Sequence, residues 1–257
     1  MERRSTSQWD FSYLADNQVV RSPDFGIAPE HQRVRYPIRL LRYWFGYQLL
    51  REEAERKGRP LDVLEVGVDL GQMLAFARSS PSQLAIASWT AVDAVMRRER
   101  LAATGYTDFL EVHLEDGPLT FPQQYDVAIL LHVLEHLFEP ERVFEQIVGA
   151  IRPGGVLIGG FPVVPRLFER QRERQIRRTA RPLGHVSVFS PERVRRMAAA
   201  AGLELEFLSG AFLMRSRGSA LENSAAWVRF NLAWGRLFPG WPGEIYWRMR
   251  RPTDPVS

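Results

Sequence analysis

The feature that most constrains the fold is a glycine-containing turn between a strand-like run and a helical pattern. The run Leu61 to Val66 is apolar, and the stretch Leu70 to Ala77 carries apolar residues at helical spacing. They are joined by Glu65-Val66-Gly67-Val68-Asp69-Leu70-Gly71, whose glycines let the backbone approach a ligand where a side chain would collide. Three residues separate the two glycines, so the spacing is not the G-x-G-x-x-G of a dinucleotide fold. A strand, a glycine turn and a helix N-terminus in this order predict a ligand site in an α/β fold.

Apolar runs and helical stretches alternate along most of the remaining chain. After the first strand, the predicted strands are Ala85 to Val92, Phe109 to Leu114, Tyr125 to Leu131, Val156 to Gly160 and Leu203 to Leu208. Near the end, Glu244 to Arg250 alternates apolar and polar side chains and predicts a final antiparallel strand. The pattern predicts a Rossmann-like, doubly wound sheet of about seven strands, mostly parallel with an antiparallel last strand, with helices on both faces.

Composition and periodicity divide the chain into three parts. Residues 1–59 form an N-terminal arm and a docking helix, which extends from Pro37 to Lys57. Residues 60–216 form the core, including an arginine-rich cover segment at 163–185. Residues 217–257 form a tryptophan-rich tail that we expect to complete the sheet.

The absence of cysteine narrows the chemistry. Without it the chain has no disulfide framework, no thiolate nucleophile and no cysteine zinc site, so catalysis must use carboxylates, imidazoles or the backbone. The first residues carry charge without a following apolar segment, and no apolar run reaches membrane-spanning length. We therefore expect a cytoplasmic protein without a membrane span.

Positive charge is concentrated in one segment. Between Arg166 and Arg181 there are seven arginines and two glutamates, although the net charge of the whole chain is only +4. Such a block is either a solvated helix face or a cover over the substrate site. In the second case its guanidinium groups would favour a substrate with a phosphate, a carboxylate or a nucleotide. A single basic segment without interleaved aromatic residues does not by itself predict nucleic-acid binding.

An acidic residue ends the second predicted strand. Asp93 lies twenty-two residues beyond Gly71, in Trp89-Thr90-Ala91-Val92-Asp93. A carboxylate at this place accepts hydrogen bonds from both ribose hydroxyls of an adenosine ligand. The alternative is that Asp93 caps a helix that begins at Ala94, and the two roles are compatible.

A histidine-containing motif follows the fourth predicted strand. The sequence His132-Val133-Leu134-Glu135-His136 lies where the carboxyl end of a parallel strand meets a ligand. In one interpretation, His132 or His185 is the general base that takes a proton from an acceptor hydroxyl. In a second, side chains at i, i+3 and i+4 share a helix face and gather a divalent metal with a distant histidine; the candidate ligands are His132, Glu135, His136 and His185. In a third, Glu135 and His136 only order the loop over the cofactor.

These motifs resemble those of class I S-adenosylmethionine-dependent methyltransferases. The turn after the first strand is similar to their first motif, E/D-x-G-x-G-x-G, with Asp69 in place of the middle glycine. The later motifs are similar, in order and spacing, to those of the type 11 and ubiquinone-biosynthesis-like methyltransferases: Tyr125-Asp126, Leu134-Glu135-His136, Arg152-Pro153-Gly154-Gly155, Gly159-Gly160-Phe161-Pro162, Gly184-His185, Phe189-Ser190-Pro191 and Ala201-Gly202-Leu203. The resemblance covers roughly residues 60–210 and explains neither the N-terminal arm nor the tail.

The resemblance implies S-adenosylmethionine as the cofactor and gives roles to individual residues. The implied cofactor contacts are Glu65, Gly67, Asp69, Gly71, Asp93, Glu115, Asp116 and His132, with Glu115-Asp116 at the adenine amino group. The candidate catalytic residues are His132, His136 and His185. Metal-dependent relatives use E-x-x-E-H and a downstream histidine. Because His132 replaces the first glutamate, the site departs from magnesium-type oxygen ligation, and no metal is favoured.

Asp69 departs from the family motif, because it brings a carboxylate and a Cβ to a place where relatives have bare backbone. Aspartate tolerates positive φ better than most residues, so the turn itself is compatible with it. The carboxylate either contacts the sulfonium or amino group of the cofactor or weakens cofactor binding.

The function implied is methyl transfer from S-adenosylmethionine. We expect O-methylation of a small-molecule or sugar-like acceptor, anionic if the arginine-rich segment covers the site. In-line transfer asks little acid–base work of the protein, because the sulfonium is already a strong electrophile and alignment supplies most of the acceleration. Two alternatives stay open. One is an RNA methyltransferase, suggested by the arginine block and the partial metal motif; the other is a binding protein that kept the fold but lost turnover, suggested by Asp69.

Overall fold

The chain folds around a seven-stranded sheet, which we describe from a computed structural model. The strands are β1 Leu61–Val66, β2 Ile86–Asp93, β3 Asp108–Glu111, β4 Tyr125–Leu131, β5 Ile151–Val163, β6 Glu204–Gly210 and β7 Gly243–Arg250. Their order is β3-β2-β1-β4-β5-β7-β6. β7 is antiparallel to both of its neighbours, and the other adjacent strands are parallel. The predicted fold class, including the antiparallel last strand, is confirmed.

Helices cover both faces of this sheet. They are α1 Gln18–Arg21, α2 Pro29–Gln32, α3 Leu41–Lys57, α4 Gln72–Arg78, α5 Arg98–Thr104, α6 Pro140–Gly149, α7 Arg166–Arg178, α8 Pro191–Ala200 and α9 Ala225–Leu237. Side chains of β1 alternate between two hydrophobic cores, since successive strand residues point to opposite faces. Val63 belongs to the core that includes Trp44 of α3, and Leu64 belongs to the core that includes Val143 of α6. The buried parallel strands therefore read as continuous apolar runs in the sequence.

The predicted docking helix is α3, preceded by a 3-10 turn at Ile38–Leu40. Its aromatic residues are buried, and the ring of Phe45 stacks on that of Tyr246 in β7 with 4.6 Å between centroids. Gly58, with φ of 61°, ends the helix, and its N–H donates to Ala54 O. This packing fixes the first turn of α3 beside the carboxyl ends of the central strands.

Two predicted strands differ from the observed ones by two residues or more in length. β3 is an edge strand whose one partner in the described ranges is β2, over four residues, and it stops at Glu111 instead of Leu114. β5 is longer than predicted, because the expected turn at 152–155 is a bulge within the strand. Gly154 has φ of 74°, and the register against β4 shifts between Tyr125 and Val127.

The structure describes residues 6, 9–179, 181 and 184–253. Parts of three predicted segments lie outside these ranges: residues 1–5 and 7–8 of the N-terminal arm, 180, 182 and 183 of the cover segment, and 254–257 of the tail. Within the described ranges, no helix is both long enough and apolar enough to cross a membrane.

Candidate active site

Three cavities lie in a row at the carboxyl ends of the parallel strands. The central cavity, of about 310 Å³, is lined by the glycine turn, the first turn of α3 and the loop after β4. The Asp93 cavity, of about 350 Å³, shares Gly67 and His132 with the central cavity. The outer cavity, of about 320 Å³, shares Arg39 and Arg215 with the central cavity but, among the described residues, nothing with the Asp93 cavity. The central cavity therefore connects the other two.

The glycine turn depends on left-handed backbone at two positions. Gly67 has φ of 73° and Gly71 has φ of 77°, values that L side chains rarely adopt. A Cβ at Gly67 would lie 2.5 Å from Val133 Cγ2, so only glycine fits there. Gly71 is buried at the start of α4 and lines none of the three cavities, so it shapes the turn without reaching the cavity wall. Main chain, not a side chain, thus forms the wall at Gly67.

The carboxylate of Asp69 does not fill the cavity. Asp69 has φ of 44°, so it does adopt the left-handed backbone of the turn. Its Oδ1 pairs with Arg97 Nη1 at 3.0 Å, and 63% of its side chain is exposed. The carboxylate is thus held by Arg97, and Asp69 is one of the residues that line the central cavity.

Asp93 is bound to the glycine turn and does not cap a helix. Its Oδ2 accepts a hydrogen bond from the Asp69 N–H at 2.9 Å, and its Oδ1 accepts one from the Val95 N–H at 3.3 Å. The helix that follows, α5, begins only at Arg98, so the prediction of a cap before Ala94 is wrong. A carboxylate has about four acceptor sites, which leaves Asp93 capacity for ribose hydroxyls in the cavity that it lines.

Glu115 and Asp116 both line the Asp93 cavity, but they differ in their partners. Glu115 Oε1 accepts a hydrogen bond from the Glu139 N–H at 2.7 Å and so helps to order the start of α6. Asp116 is exposed, and its carboxylate has no partner in the described part of the chain. Of the two carboxylates, that of Asp116 is unoccupied by any described residue, and that of Glu115 keeps part of its acceptor capacity.

Glu65 is buried at the end of β1 and lines the central cavity. Trp89 Nε1 and the Tyr106 hydroxyl donate to its Oε2 at 2.9 and 2.7 Å. Burial raises the pKa of Glu65 to about 7, although the two hydrogen bonds act in the opposite direction. At neutral pH the side chain is therefore divided between its acid and carboxylate forms.

His132 has an uncommon backbone conformation and two carboxylate neighbours. Its φ of 59° is left-handed, a strain that is concentrated at functional sites. Its Nδ1 is 3.0 Å from Glu135 Oε1, and its Nε2 is 3.6 Å from Glu244 Oε2. The buried Nε2 has no hydrogen-bond partner among the residues described. Burial lowers the pKa of His132, but Glu244 and Glu135 outweigh burial, so the pKa lies above its ordinary value.

Glu135 is a buried carboxylate without a hydrogen-bond donor. It is 1% exposed, and neither of its carboxylate oxygens accepts a hydrogen bond from a residue that the structure describes. The contact with His132 Nδ1 is close but lacks hydrogen-bonding geometry. Because an unpaired buried carboxylate is costly, Glu135 requires a cation or a donor. A protonated His132, a bound ligand or a metal ion would meet that requirement.

The structure brings together three of the four predicted metal ligands. Glu135, His136 and His185 present ligand atoms that all lie within 4.8 Å of one another, and His132 is not in this group. His136 Nδ1 is 3.1 Å from Gly184 O, which leaves its Nε2 as the free nitrogen. Burial lowers the pKa of His185 and outweighs the attraction of Glu135, which favours the neutral imidazole that a metal needs. Two imidazoles and one carboxylate suit zinc better than magnesium, and a divalent ion fits these three residues.

Charged residues of the cavity walls that were not predicted from the sequence include Arg39, Arg42, Arg215 and Glu244. Arg42 Nη2 is 3.6 Å from Glu244 Oε1, Arg215 pairs with the same oxygen, and the Tyr246 hydroxyl donates to Oε2 at 2.6 Å. Burial raises the pKa of Glu244, but His132 and the two arginines hold it well below its ordinary value. The only sequence signal is the alternation of β7, which places Glu244 on the same face as Tyr246.

The arginine-rich segment forms α7, and none of its described arginines lines any of the three cavities. Arg177 donates to Val186 O and Phe138 O at 3.0 Å each, and Glu173 pairs with Arg193 of α8 at 2.6 Å. The described arginines between residues 166 and 181 are exposed. Of the two interpretations, this geometry favours the solvated helix face over a cover that binds the acceptor.

The tail tryptophans also lie outside the cavities. Trp234 of α9 packs against Phe238 and Trp241 with centroid distances of 4.6 and 5.4 Å. Trp247 lies in β7, is 1% exposed and belongs to the core. These rings anchor α9 and β7, and among the described residues no tail tryptophan lines the three cavities.

The cavities offer the polar groups that S-adenosylmethionine requires at its two ends. In the Asp93 cavity, the carboxylates of Asp93 and Asp116 suit ribose hydroxyls and an adenine amino group. In the central cavity, Glu65 and the buried Arg42 suit the amino and carboxylate groups of the methionine end, and Arg42 Nε lacks a hydrogen-bond partner in the described ranges. Main chain at Gly67 lies between these ends. The residues present therefore fit this cofactor.

Solved structures with similar folds include two methyltransferases and a cyclase. The N-methyltransferase NodS from Bradyrhizobium japonicum WM9, crystallised with S-adenosyl-L-homocysteine, is 16% identical, with 95% of this chain and 100% of that chain aligned and a TM-score of 0.52. An S-adenosylmethionine-dependent methyltransferase from Mesorhizobium loti is 14% identical, with coverages of 82% and 98% and a TM-score of 0.56. The [4+2]-cyclase SpnF is 19% identical, with coverages of 97% and 97% and a TM-score of 0.55. At these identities the similarity shows the fold alone.

The sequence itself gives the family. No curated protein matches the chain. The family model described as Methyltransferase domain matches residues 31–207, well over half of the sequence. Together with the folds just described, this match confirms that the chain belongs to the Methyltransferase domain family and is an S-adenosylmethionine-dependent methyltransferase of class I fold.

Proposed function

We propose that this methyltransferase O-methylates a small-molecule acceptor in the central cavity, with His132 as the general base. The supporting observation is the position of His132 Nε2, which is buried and unpartnered among the described residues, on a side chain shared by the central and Asp93 cavities. A base at this junction lies between the cofactor and the acceptor. A hydroxyl group is favoured as nucleophile, because it must lose its proton as the new bond forms, whereas a neutral amine attacks without a base.

His132 would take the acceptor proton at Nε2. When bound, S-adenosylmethionine supplies a methyl group on a sulfonium sulfur; the acceptor oxygen forms the new bond to carbon, and the electron pair of the broken carbon–sulfur bond stays on sulfur. The imidazolium formed at His132 is stabilised by Glu135 and Glu244, whose oxygens lie 3.0 and 3.6 Å from its ring nitrogens. Alignment supplies most of the acceleration, since effective molarities reach on the order of 10⁵ M or more.

We assign the cofactor contacts to residues that line the Asp93 cavity and the turn. Asp93 would bind the ribose, Asp116 the adenine, and the main chain at Gly67 would lie against the cofactor, with Glu65 near its amino group. Glu115, Asp69 and Gly71 would act indirectly, through the order of the loops. His132 would contact the cofactor at the junction of the two cavities.

The group of Glu135, His136 and His185 supports a second mechanism for the same transfer. These three side chains would hold a divalent ion, and the ion would supply Lewis-acid activation of the acceptor hydroxyl. In that case His136 and His185 would be ligands, and His132 would serve to position Glu135.

Binding and transfer assays test the proposal. S-adenosylhomocysteine titrated calorimetrically should bind the wild-type protein, and absence of heat at millimolar ligand would remove the cofactor contacts assigned here. Transfer from S-adenosylmethionine labelled with carbon-13 in its methyl group is then screened over phenols, hydroxy acids, sugars and short RNAs. Nuclear magnetic resonance of the product should show the methyl on oxygen of a small acceptor. A methyl on nitrogen, or transfer to RNA alone, would contradict the proposal.

The role of His132 is tested by substitution. His132→Gln should lower kcat by about 10² to 10⁴, a much larger effect than its effect on the affinity for S-adenosylhomocysteine. The matched change His185→Gln should have a small effect if no metal takes part. Loss of activity on chelation, with recovery on adding zinc to the wild type but not to His185→Gln, would favour the metal mechanism over the general base.

A further inference from the structure

Two arginines at the junction of the central and outer cavities have no role in the cofactor contacts assigned above. Arg39 and Arg215 line both cavities, whereas Arg42 lines only the central one. Arg39 lies in the 3-10 turn before α3, and Arg215 lies in the loop after β6. The fold therefore brings two guanidinium groups from distant parts of the sequence to one place.

The junction has more guanidinium groups than the neighbouring carboxylates form ion pairs with. Glu244 serves as the ion-pair partner of both Arg42 and Arg215. Arg39 forms neither a hydrogen bond nor an ion pair with any residue in the described ranges, and the same holds for Arg217 in the wall of the outer cavity. Burial lowers the pKa of Arg39; the nearby Arg42 and Arg215 act in the same direction, and Tyr43 and Glu244 act against it.

The other acids of the outer cavity do not neutralise these arginines. Glu222 is fully buried, and its carboxylate accepts hydrogen bonds from the Ile38 N–H at 3.1 Å and the Gly218 N–H at 2.9 Å. Glu30 is exposed and forms no ion pair with a residue that the structure describes. An anion entering the outer cavity would therefore find Arg39 without a competing partner.

We propose that Arg39 and Arg215 bind a carboxylate or phosphate group of the acceptor. The inference rests on the proposed function and adds the substrate class, which is a small hydroxy acid or a hydroxyl-bearing phosphate ester. Two guanidinium groups that meet at one opening match the geometry of such groups, which accept paired N–H donors from planar forks. The acceptor enters through the outer cavity and turns its hydroxyl to the central cavity.

The distance between the anion site and the proposed base limits the size of the acceptor. Glu244 pairs with Arg215 through one oxygen, and its other oxygen lies 3.6 Å from His132 Nε2. The carboxylate of Glu244 therefore lies between Arg215 and the proposed base, His132. An acceptor held by Arg215 must carry its hydroxyl only a few bonds from its anionic group.

The test uses inorganic phosphate as the probe, with acetate as a second series for carboxylates. Because S-adenosylmethionine itself carries a carboxylate, both are titrated calorimetrically into protein saturated with S-adenosylhomocysteine. The affinity for phosphate should fall by about tenfold or more in Arg39→Gln and in Arg215→Gln. It should stay within about twofold in Arg170→Gln, a control on the exposed face of α7. Arg39→Gln removes no ion pair seen among the described residues, so its melting temperature should match that of the wild type.

Two results would overturn the proposal. One is an equal affinity for phosphate in the wild type and in both cavity variants. The other is loss of phosphate binding once S-adenosylhomocysteine is bound, which would assign these arginines to the carboxylate of the cofactor.

The same titrations distinguish this inference from the proposed function. If S-adenosylhomocysteine gives no heat but phosphate binding still depends on Arg39, the cofactor contacts fail and the anion site stands. If S-adenosylhomocysteine binds normally to Arg39→Gln and phosphate affinity is unchanged, methyl transfer stands and the acidic acceptor is wrong.

Discussion

Two buried carboxylates at opposite ends of β4 differ in how their charge is satisfied. Asp126, near the start of the strand, is fully buried and accepts hydrogen bonds from Arg59 at 2.6 and 2.9 Å and from the Asp62 N–H at 3.1 Å, with Arg152 also 3.1 Å away. Glu135, just past the other end, accepts none from the described residues. The satisfied charge lies at the amino end of the strand, and the unsatisfied one lies at the carboxyl end, where parallel sheets bind ligands.

Cations of the chain lower the pKa values of two satisfied buried carboxylates, Asp126 and Glu53. Burial raises the pKa of Asp126, but Arg59 and Arg152 hold it below its ordinary value. Burial acts in the same way on Glu53, and Arg56 and Arg250 outweigh it. A buried charge whose partners all come from the chain belongs to the fold, whereas a buried charge without partners indicates that a ligand, an ion or a proton completes it.

The largest effect on stability is expected at Asp126. Asp126→Asn should lower the free energy of unfolding by about 3 kcal/mol, because it leaves the neighbouring cations without their buried partner. We take the low end of the usual range, because Arg59 is 49% exposed and Arg152 is 31% exposed, so solvent screens both. Urea unfolding measures this change, and calorimetry should show an unchanged affinity for S-adenosylhomocysteine.

The matched change at the other end of β4 tests the comparison. Glu135→Gln should alter the free energy of unfolding by less than about 1 kcal/mol, or increase it, because it removes a buried charge that lies beside His132 but accepts no hydrogen bond from the described residues. The same variant should lose methyl transfer. If Glu135→Gln instead destabilises the protein as much as Asp126→Asn, the two carboxylates do not differ as we infer.

Glu65 is an intermediate case, with hydrogen bonds but no cationic partner in the part of the chain that the structure describes. Its pKa of about 7 lies above the ordinary value of 4.5, so the folded protein keeps a proton that the unfolded chain releases. The stability that this proton contributes is complete below pH 4.5 and is lost as the pH rises to about 7. Glu65→Gln keeps an acceptor and cannot ionise. It should therefore equal the wild type at low pH and exceed it by about 2 to 3 kcal/mol at pH 8.

Urea unfolding at pH 5 and pH 8 measures this difference. A stability difference of the same size at both pH values would show that ionisation of Glu65 is not its cause. Glu141→Gln is a suitable control, because Arg193 holds the pKa of Glu141 below its ordinary value despite burial, and no gain at high pH is expected there.

Asp93 should affect binding more than stability. Asp93→Ala removes the carboxylate proposed for the ribose hydroxyls, and the affinity for S-adenosylhomocysteine should fall about tenfold to a hundredfold, or about 1.5 to 3 kcal/mol. Asp93→Asn keeps an oxygen acceptor for the Asp69 N–H and should lose less. If Asp93→Ala melts early but binds normally, its hydrogen bonds to the turn are structural and the ribose contact is wrong.

Local signals explain which parts of the site could be predicted from the sequence. The segment Glu65 to Gly71 and the residue Asp93 stand at strand ends that periodicity locates, so sequence alone placed them at one edge of the sheet. Arg39, Arg215 and Glu244 lie on three elements that meet only because β7 pairs with β5, and no periodic pattern records that meeting.

The density of charged residues in the sequence predicted the functional residues less well than the ends of strands did. The arginine block predicts a charged helix correctly, but it carries no information on which surface the helix covers, and α7 turns its arginines to solvent. Arg39, which lies at the cavity wall, is one of four arginines between residues 33 and 42, and nothing in the sequence distinguishes it from the others. Burial and the lack of a partner, which only the fold reveals, distinguish a functional charge from a solvated one.

The smallest effect is expected at the residue that departs most from the family motif. Asp69→Gly relieves a left-handed φ of 44°, which costs an aspartate up to about 1 kcal/mol, and removes an exposed pair with Arg97 that contributes less than about 1 kcal/mol. These terms oppose each other, so the free energy of unfolding should change by less than about 1 kcal/mol. Because the carboxylate pairs with Arg97 and is largely exposed, the affinity for S-adenosylhomocysteine should change by less than about threefold. Arg97→Gln is the matched control, since it removes the pair and keeps the turn. A gain of tenfold or more in Asp69→Gly alone would show that the carboxylate reaches the cofactor. Asp69 would then count with Glu135 among the charges that a ligand must satisfy.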